Sequence, residues 1–131
     1  MNCPLCKVPL IAVERERIEV DICISCRGLW FDSGELQLLG EVLQIPLDPS
    51  VLTKGPCATS ERPRDCPRCG KSMIKCEIPA ARRVVVDRCP SDEGIWFDAQ
   101  ELGAFVDYSA REHGSTHPVA TFLGETFGRR A

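Results

Sequence analysis

The chain repeats itself, and each copy of the repeat carries cysteines at C-x-x-C spacing. The first copy holds Cys3-Pro4-Leu5-Cys6, Cys23-Ile24-Ser25-Cys26, Gly28-Leu29-Trp30-Phe31-Asp32 and Glu35-Leu36. The second holds Cys66-Pro67-Arg68-Cys69, Cys89-Pro90-Ser91-Asp92, Gly94-Ile95-Trp96-Phe97-Asp98 and Glu101-Leu102. The front halves align at an offset of 63 and the back halves at 66, so three extra residues separate the cysteine pairs of the second copy. A repeat this short buries too little surface to fold on hydrophobic contacts alone and needs a staple.

Nine cysteines supply it. Their odd number and their pairing in C-x-x-C motifs favour metal sites over disulfides. Met1-Asn2 runs straight into Cys3, so no signal peptide is expected, and no window approaches ~18 uninterrupted apolar residues. The expectation is a cytoplasmic protein in a reducing compartment, with no membrane partner.

Between the cysteine pairs, Ile18, Val20 and Ile22 alternate with Glu19 and Asp21, the period of a half-buried strand. Val84-Val85-Val86-Asp87 holds the same place before Cys89, and Leu10–Val13 and Met73–Ile78 can supply the partner strands. The three-residue insertion falls at the hairpin tip, where added length costs little. Each Trp-Phe-Asp run is followed by Glu at the spacing of a capping box, Asp32 to Glu35 and Asp98 to Glu101. Leu36, Leu39, Val42 and Leu43 then mark an apolar helical face, as do Leu102, Phe105 and Val106. Trp30 and Trp96 are expected to form the small core of each unit.

Four thiolates from two knuckles suit zinc, which takes tetrahedral sulfur ligation with Zn–S near ~2.3 Å. Cys3, Cys6, Cys23 and Cys26 make the first expected site, closed to substrate and therefore structural. The second expected site uses Cys66, Cys69 and Cys89 with Asp92 in the fourth place, since carboxylate oxygen is an accepted zinc ligand. A water, a remote residue or an empty site are its alternatives. Cys76 lies out along a strand, roughly 20 Å away at ~3.3 Å per residue. Cys57 could reach only from a folded-back linker.

These motifs resemble the TFIIB-type zinc-finger family, whose pattern runs C-P-x-C, a hairpin, C-x-x-C-x-G-x-W-x-D and E-L. The first copy fits from Cys3 to Leu36, and the second from Cys66 to Leu102 except at Asp92. The resemblance implies a small metal-bound α+β fold of tandem zinc ribbons, each a β-hairpin with two zinc knuckles and a short α-helix. Two Zn2+ per chain follow. The expected organisation is a first ribbon over residues 1–45, a Pro-rich linker over 46–65, a second ribbon over 66–108, and a tail over 109–131. That tail contains an amphipathic stretch, through which a homo-oligomer could form.

The functional expectation is a non-catalytic module that binds another protein, in a transcription-related or other assembly. Residues 62–88 carry eight basic side chains (Arg62, Arg64, Arg68, Lys71, Lys75, Arg82, Arg83 and Arg88) against three acidic ones, which keeps nucleic-acid binding open as an alternative. Against it, no aromatic residue lies among them to stack on bases, and the net charge of the chain is −3. A rubredoxin-like iron carrier is the third reading, since four clustered sulfurs also hold iron. His113 and His117 have metal-like spacing but lie on a segment too poor in helix formers to present them together.

Overall fold

The structure, a computed structural model, describes residues 1–54, 61–78 and 81–112. In chain order these form β1 (Ile11–Arg15), β2 (Ile18–Ile22), β3 (Leu29–Asp32), α1 (Glu35–Leu43), a 3-10 turn (Pro49–Val51), β4 (Thr53–Lys54), β5 (Ile74–Ile78), β6 (Ala81–Arg88), β7 (Gly94–Phe97) and α2 (Glu101–Glu112). All strands join one antiparallel sheet in the order β1-β2-β3-β7-β6-β5-β4. Apart from β4, that order reads as a palindrome about the β3–β7 pair, so the two copies meet edge to edge.

The register makes the symmetry explicit. Trp30 pairs with its own repeat counterpart Trp96, flanked by Leu29 with Phe97 and Phe31 with Ile95. A pseudo-twofold axis thus passes between the two tryptophans. Gly28 and Gly94 explain how the copies approach so closely. A Cβ on Gly28 would lie 2.1 Å from Cζ2 of Trp96, and one on Gly94 would lie 2.6 Å from Cζ2 of Trp30. Each copy gives up a side chain where the other copy's indole lands. The tryptophans are therefore the seam between the units, not separate small cores as the sequence alone implied.

Strand alternation splits the sheet into two faces. Ile18, Val20, Ile22, Leu29 and Phe31 from the first copy share the larger core with Val86, Ile95 and Phe97 from the second. Both helices cover this face through Leu36, Leu39, Leu43, Leu102, Phe105 and Val106. Phe31 and Phe97 meet edge to face at 5.8 Å, an arrangement that favours the ring quadrupoles. On the opposite face Trp30 and Trp96 pack with Met73 and the buried cysteines Cys3, Cys23, Cys66 and Cys89.

The hairpins differ at their tips. β1 and β2 join through Glu16 and Arg17, both at positive φ (54° and 68°), the two-residue turn whose twist suits a hairpin. The second hairpin is longer, with eight residues in β6 against five in β2.

The Pro-rich segment is not a free spacer where it is described. Ile45, Leu47 and Leu52 are buried in the shared core, and β4 pairs with β5. Gly40 makes this possible, because a Cβ there would sit 2.8 Å from the Ile45 carbonyl as the chain folds back over α1. Pro49 opens the 3-10 turn, and apolar side chains anchor the segment on the core. At the far end α2 runs to Glu112, past the expected ribbon boundary at 108. Cys57, His113, His117 and the amphipathic stretch of the tail lie outside the described residues.

Candidate metal centres

Local backbone geometry builds each cluster. In three of the four knuckles the fifth residue is left-handed and returns its N–H to the first cysteine's carbonyl. These are Lys7 to Cys3 (3.0 Å), Arg27 to Cys23 (2.8 Å) and Gly70 to Cys66 (2.9 Å). The tight turn aims further N–H groups at sulfur. Cys3 Sγ accepts from Leu5 N at 3.3 Å and Cys6 N at 3.2 Å, and Cys66 Sγ accepts from Arg68 N at 3.4 Å and Cys69 N at 3.5 Å. Such donors favour thiolate over thiol, as a metal ligand requires.

Cys3, Cys6, Cys23 and Cys26 bring their sulfurs within 4.8 Å of one another. Cys3 Sγ and Cys26 Sγ stand 3.7 Å apart. A tetrahedral ion with bonds of ~2.3 Å would hold sulfurs at ~3.8 Å, so the donor set fits zinc. The electrostatics agree. Burial opposes ionisation of Cys23, yet N–H groups of Cys26 and Ser25 and the neighbouring thiols bring its pKa down to about 7. Burial pushes Cys3 and Cys26 up. A cluster that readily releases one proton and resists the next is one that a cation completes.

The second cluster gathers Cys66, Cys69 and Cys89, again within 4.8 Å, with Cys69 Sγ and Cys89 Sγ 3.5 Å apart. Burial raises Cys66 to about 11, whereas the Lys71 N–H and neighbouring thiols lower the exposed Cys69. Asp92 does not join them. The fourth knuckle turns one residue early: Asp92 itself is left-handed (φ 59°) and its N–H goes to the Cys89 carbonyl at 3.1 Å. Its carboxylate, 79% exposed, faces Arg88 at 3.6 Å. With this backbone conformation Asp92, the expected fourth ligand, stands outside the three-sulfur cluster. The residue that would have to point inward occupies the place where the chain reverses.

Cys76 lies buried in the helix-side core, away from both clusters. The capping boxes are resolved unequally. Asp98 N donates to Glu101 Oε1 at 2.9 Å, as expected. Glu35 Oε1 instead accepts from Glu19 N at 2.7 Å, and Gly34 starts α1 with no side-chain cap. The Asp carboxylates hold the seam, accepting from the indole of Trp30 (2.8 Å, Asp32) and of Trp96 (2.9 Å, Asp98).

A charged network beside the second cluster was missed in the sequence. Fully buried Asp87 takes Lys75 Nζ at 2.7 Å and Arg64 Nη1 at 3.1 Å, while Arg64 also meets Asp98 at 2.9 Å. Lys75 also reaches Glu61 at 2.9 Å. Glu61, Asp98 and Glu101 come close enough together to resemble a cation site, but Arg64 supplies the positive charge there. The signal existed: Asp21 and Asp87 recur two residues before Cys23 and Cys89.

Two paired hairpin–knuckle–helix units, each with clustered thiols at one end, define a duplicated metal ribbon. A family model described as transcription factor zinc-finger, of the TFIIB zinc-ribbon type, matches residues 2–42 and 65–108. The chain belongs to this family. No curated protein and no solved structure matches it.

Proposed function

We propose that the chain is a non-catalytic zinc protein that docks onto another protein through the knuckle end of its first ribbon. The observation that carries this reading is an apolar tip. Met1, Leu5, Val8 and Ile24 are 41%, 40%, 36% and 61% exposed around the first cluster. Arg64, Arg68, Lys71 and Pro90 hold the matching positions in the second copy. Exposed apolar side chains on a rigid, metal-held turn are typical of a recognition surface. A closed four-thiolate site leaves no position for substrate, so zinc there serves folding. Zinc at both clusters, a reducing cytoplasmic location and a transcription-related partner complete the proposal.

The nucleic-acid reading loses support from the ion pairs. Arg64 and Lys75 are committed to Asp87, and Arg68 meets Asp32 at 2.6 Å. Arg88 faces Asp92. Phosphate would have to compete with carboxylates already in place. The test is a Leu5→Glu/Ile24→Glu variant of the full chain, compared with wild type for zinc content and for cross-linking to a co-purifying protein. Retained zinc with lost cross-linking is expected. Unchanged cross-linking would remove the apolar tip from the proposal, and tight binding of DNA or RNA at low salt would replace it with the nucleic-acid reading.

A further inference from the structure

We infer that the second metal centre is held by Cys66, Cys69 and Cys89 alone and keeps its fourth position for an external thiolate. The inference rests on the reading that both clusters hold metal. Among the described residues three sulfurs converge there and no fourth donor joins them. The knuckle that should supply it is remodelled. Asp92 makes the turn that Arg27 makes in the first copy, one residue earlier in its knuckle, and points its carboxylate outward to Arg88. Cys76, the other described cysteine of the second copy, is sealed in the opposite core.

The remaining position is reachable, because Cys69 is exposed whereas Cys66 and Cys89 are buried. External ligands therefore approach from the Cys69 side. Two features select their chemistry. Three thiolates make a soft donor set, and soft sets are completed best by another sulfur. Lys71, whose Nζ spans to Ser91 Oγ at 2.9 Å, places a cation between the Cys66–Cys69 and Cys89 knuckles. Lys71 offsets the charge that a fourth thiolate would add to a divalent ion already held by three. On binding, the incoming thiol gives its proton to solvent and its sulfur takes the fourth position. A small-molecule thiol and a partner's exposed cysteine offer the same chemistry.

Cobalt(II) reports the number of metal–sulfur bonds through charge-transfer absorption. The full chain and a Cys57→Ser variant would be loaded anaerobically without added thiol, then titrated with 2-mercaptoethanol or imidazole. Two cobalt ions and seven cobalt–sulfur bonds are expected in both proteins, matching the seven clustered sulfurs. The band should then grow by roughly one part in seven with the thiol, and imidazole should leave it unchanged. Eight bonds before any thiol, or a drop caused only by Cys57→Ser, would show an internal fourth sulfur and overturn the inference. A response to imidazole but not to thiol would overturn the ligand class. One cobalt per chain would sink the inference while leaving the first centre intact, and none would sink the underlying metal reading. For the source, an isolated cysteine-containing partner that restores the eighth bond at equimolar concentration would favour protein over small molecule. Saturation by millimolar thiol alone would favour the reverse.

Discussion

The two copies share one scaffold and differ in how each is finished. In the first, four sulfurs close the centre and the surrounding tip is apolar. In the second, three sulfurs gather and three of the four matching positions are basic. The row of side chains across the Trp face shows the same divergence. Asp21 pairs with Trp30, Trp30 with Trp96, and Trp96 with Asp87. At the ends of that row Asp21 stands opposite Ala12, but Asp87 stands opposite Lys75. The second copy thus carries buried ion pairs where the first has none at the matching register. Such pairs contribute little net stability after desolvation, but breaking one partner is costly. The difference teaches that the copies lean on each other through one seam and core, while the second adds buried ion pairs to a cluster with one sulfur fewer.

Removing a thiolate should separate the copies most sharply. Cys23→Ser is expected to expel metal from the first centre and unfold its knuckles, because a structural zinc supplies on the order of 10 kcal/mol of folding energy. Cys69→Ser should lower metal content at the second centre while the sheet persists. Metal analysis with far-UV circular dichroism checks both, and equal unfolding by the two variants would break the comparison. Next comes the seam. Gly94→Ala would place a Cβ 2.2 Å from the Phe31 carbonyl, whereas the nearest atoms to one at Gly28, at 2.1 Å and beyond, belong to the Trp96 ring. A backbone oxygen in a paired strand cannot yield as a ring can. Gly94→Ala should cost about 3 kcal/mol and Gly28→Ala less, read from denaturant midpoints with metal in excess.

The glycines and tryptophans of this seam mark the limit of what the sequence alone reveals. Repetition, alternation and cysteine spacing made the hairpins, knuckles and helices legible, since each is a local pattern. The offset between the copies even predicted where the second hairpin lengthens. How the copies pair was not legible, because Gly28 and Trp96 meet only across a strand pairing that local patterns leave open. The prolines of 46–65 signalled a linker, yet Leu47 and Leu52 within it are buried in the core. Asp92 shows a related limit. Its residue type is a good zinc ligand, but the left-handed turn it makes in the fourth knuckle is not legible from residue type.

A smaller effect distinguishes the two helix starts. Burial, opposed by the Asp98 N–H and reinforced by Asp98, Glu61 and Asp87, raises Glu101 to about 8. Its counterpart Glu35 makes an exposed bond to Glu19 N. Between the ordinary carboxylate range and that value, the folded state holds a proton that the unfolded chain releases. The stabilisation is full below about pH 4.5 and is lost as pH rises through about 8. Glu101→Gln keeps an acceptor for Asp98 N and removes the titration. Wild type should lose stability between about pH 6 and 8 by on the order of 1 kcal/mol more than Glu101→Gln. Parallel curves would place the proton elsewhere.

The smallest expected effect is the sharpest on the second centre. Asp92→Asn removes the charge but keeps a side chain that tolerates the left-handed turn. With the carboxylate 79% exposed and only 3.6 Å from Arg88, the pair is a surface contact. Such contacts contribute little, so stability should move by less than ~0.5 kcal/mol. Zinc per chain should stay the same, whereas Cys26→Asp in the first copy should weaken the metal there by removing a sulfur that does converge. Metal titration with a chromogenic chelator checks both variants. Zinc loss from Asp92→Asn would mean that the carboxylate turns inward once metal binds, and the two centres would then be alike in closure though not in donor.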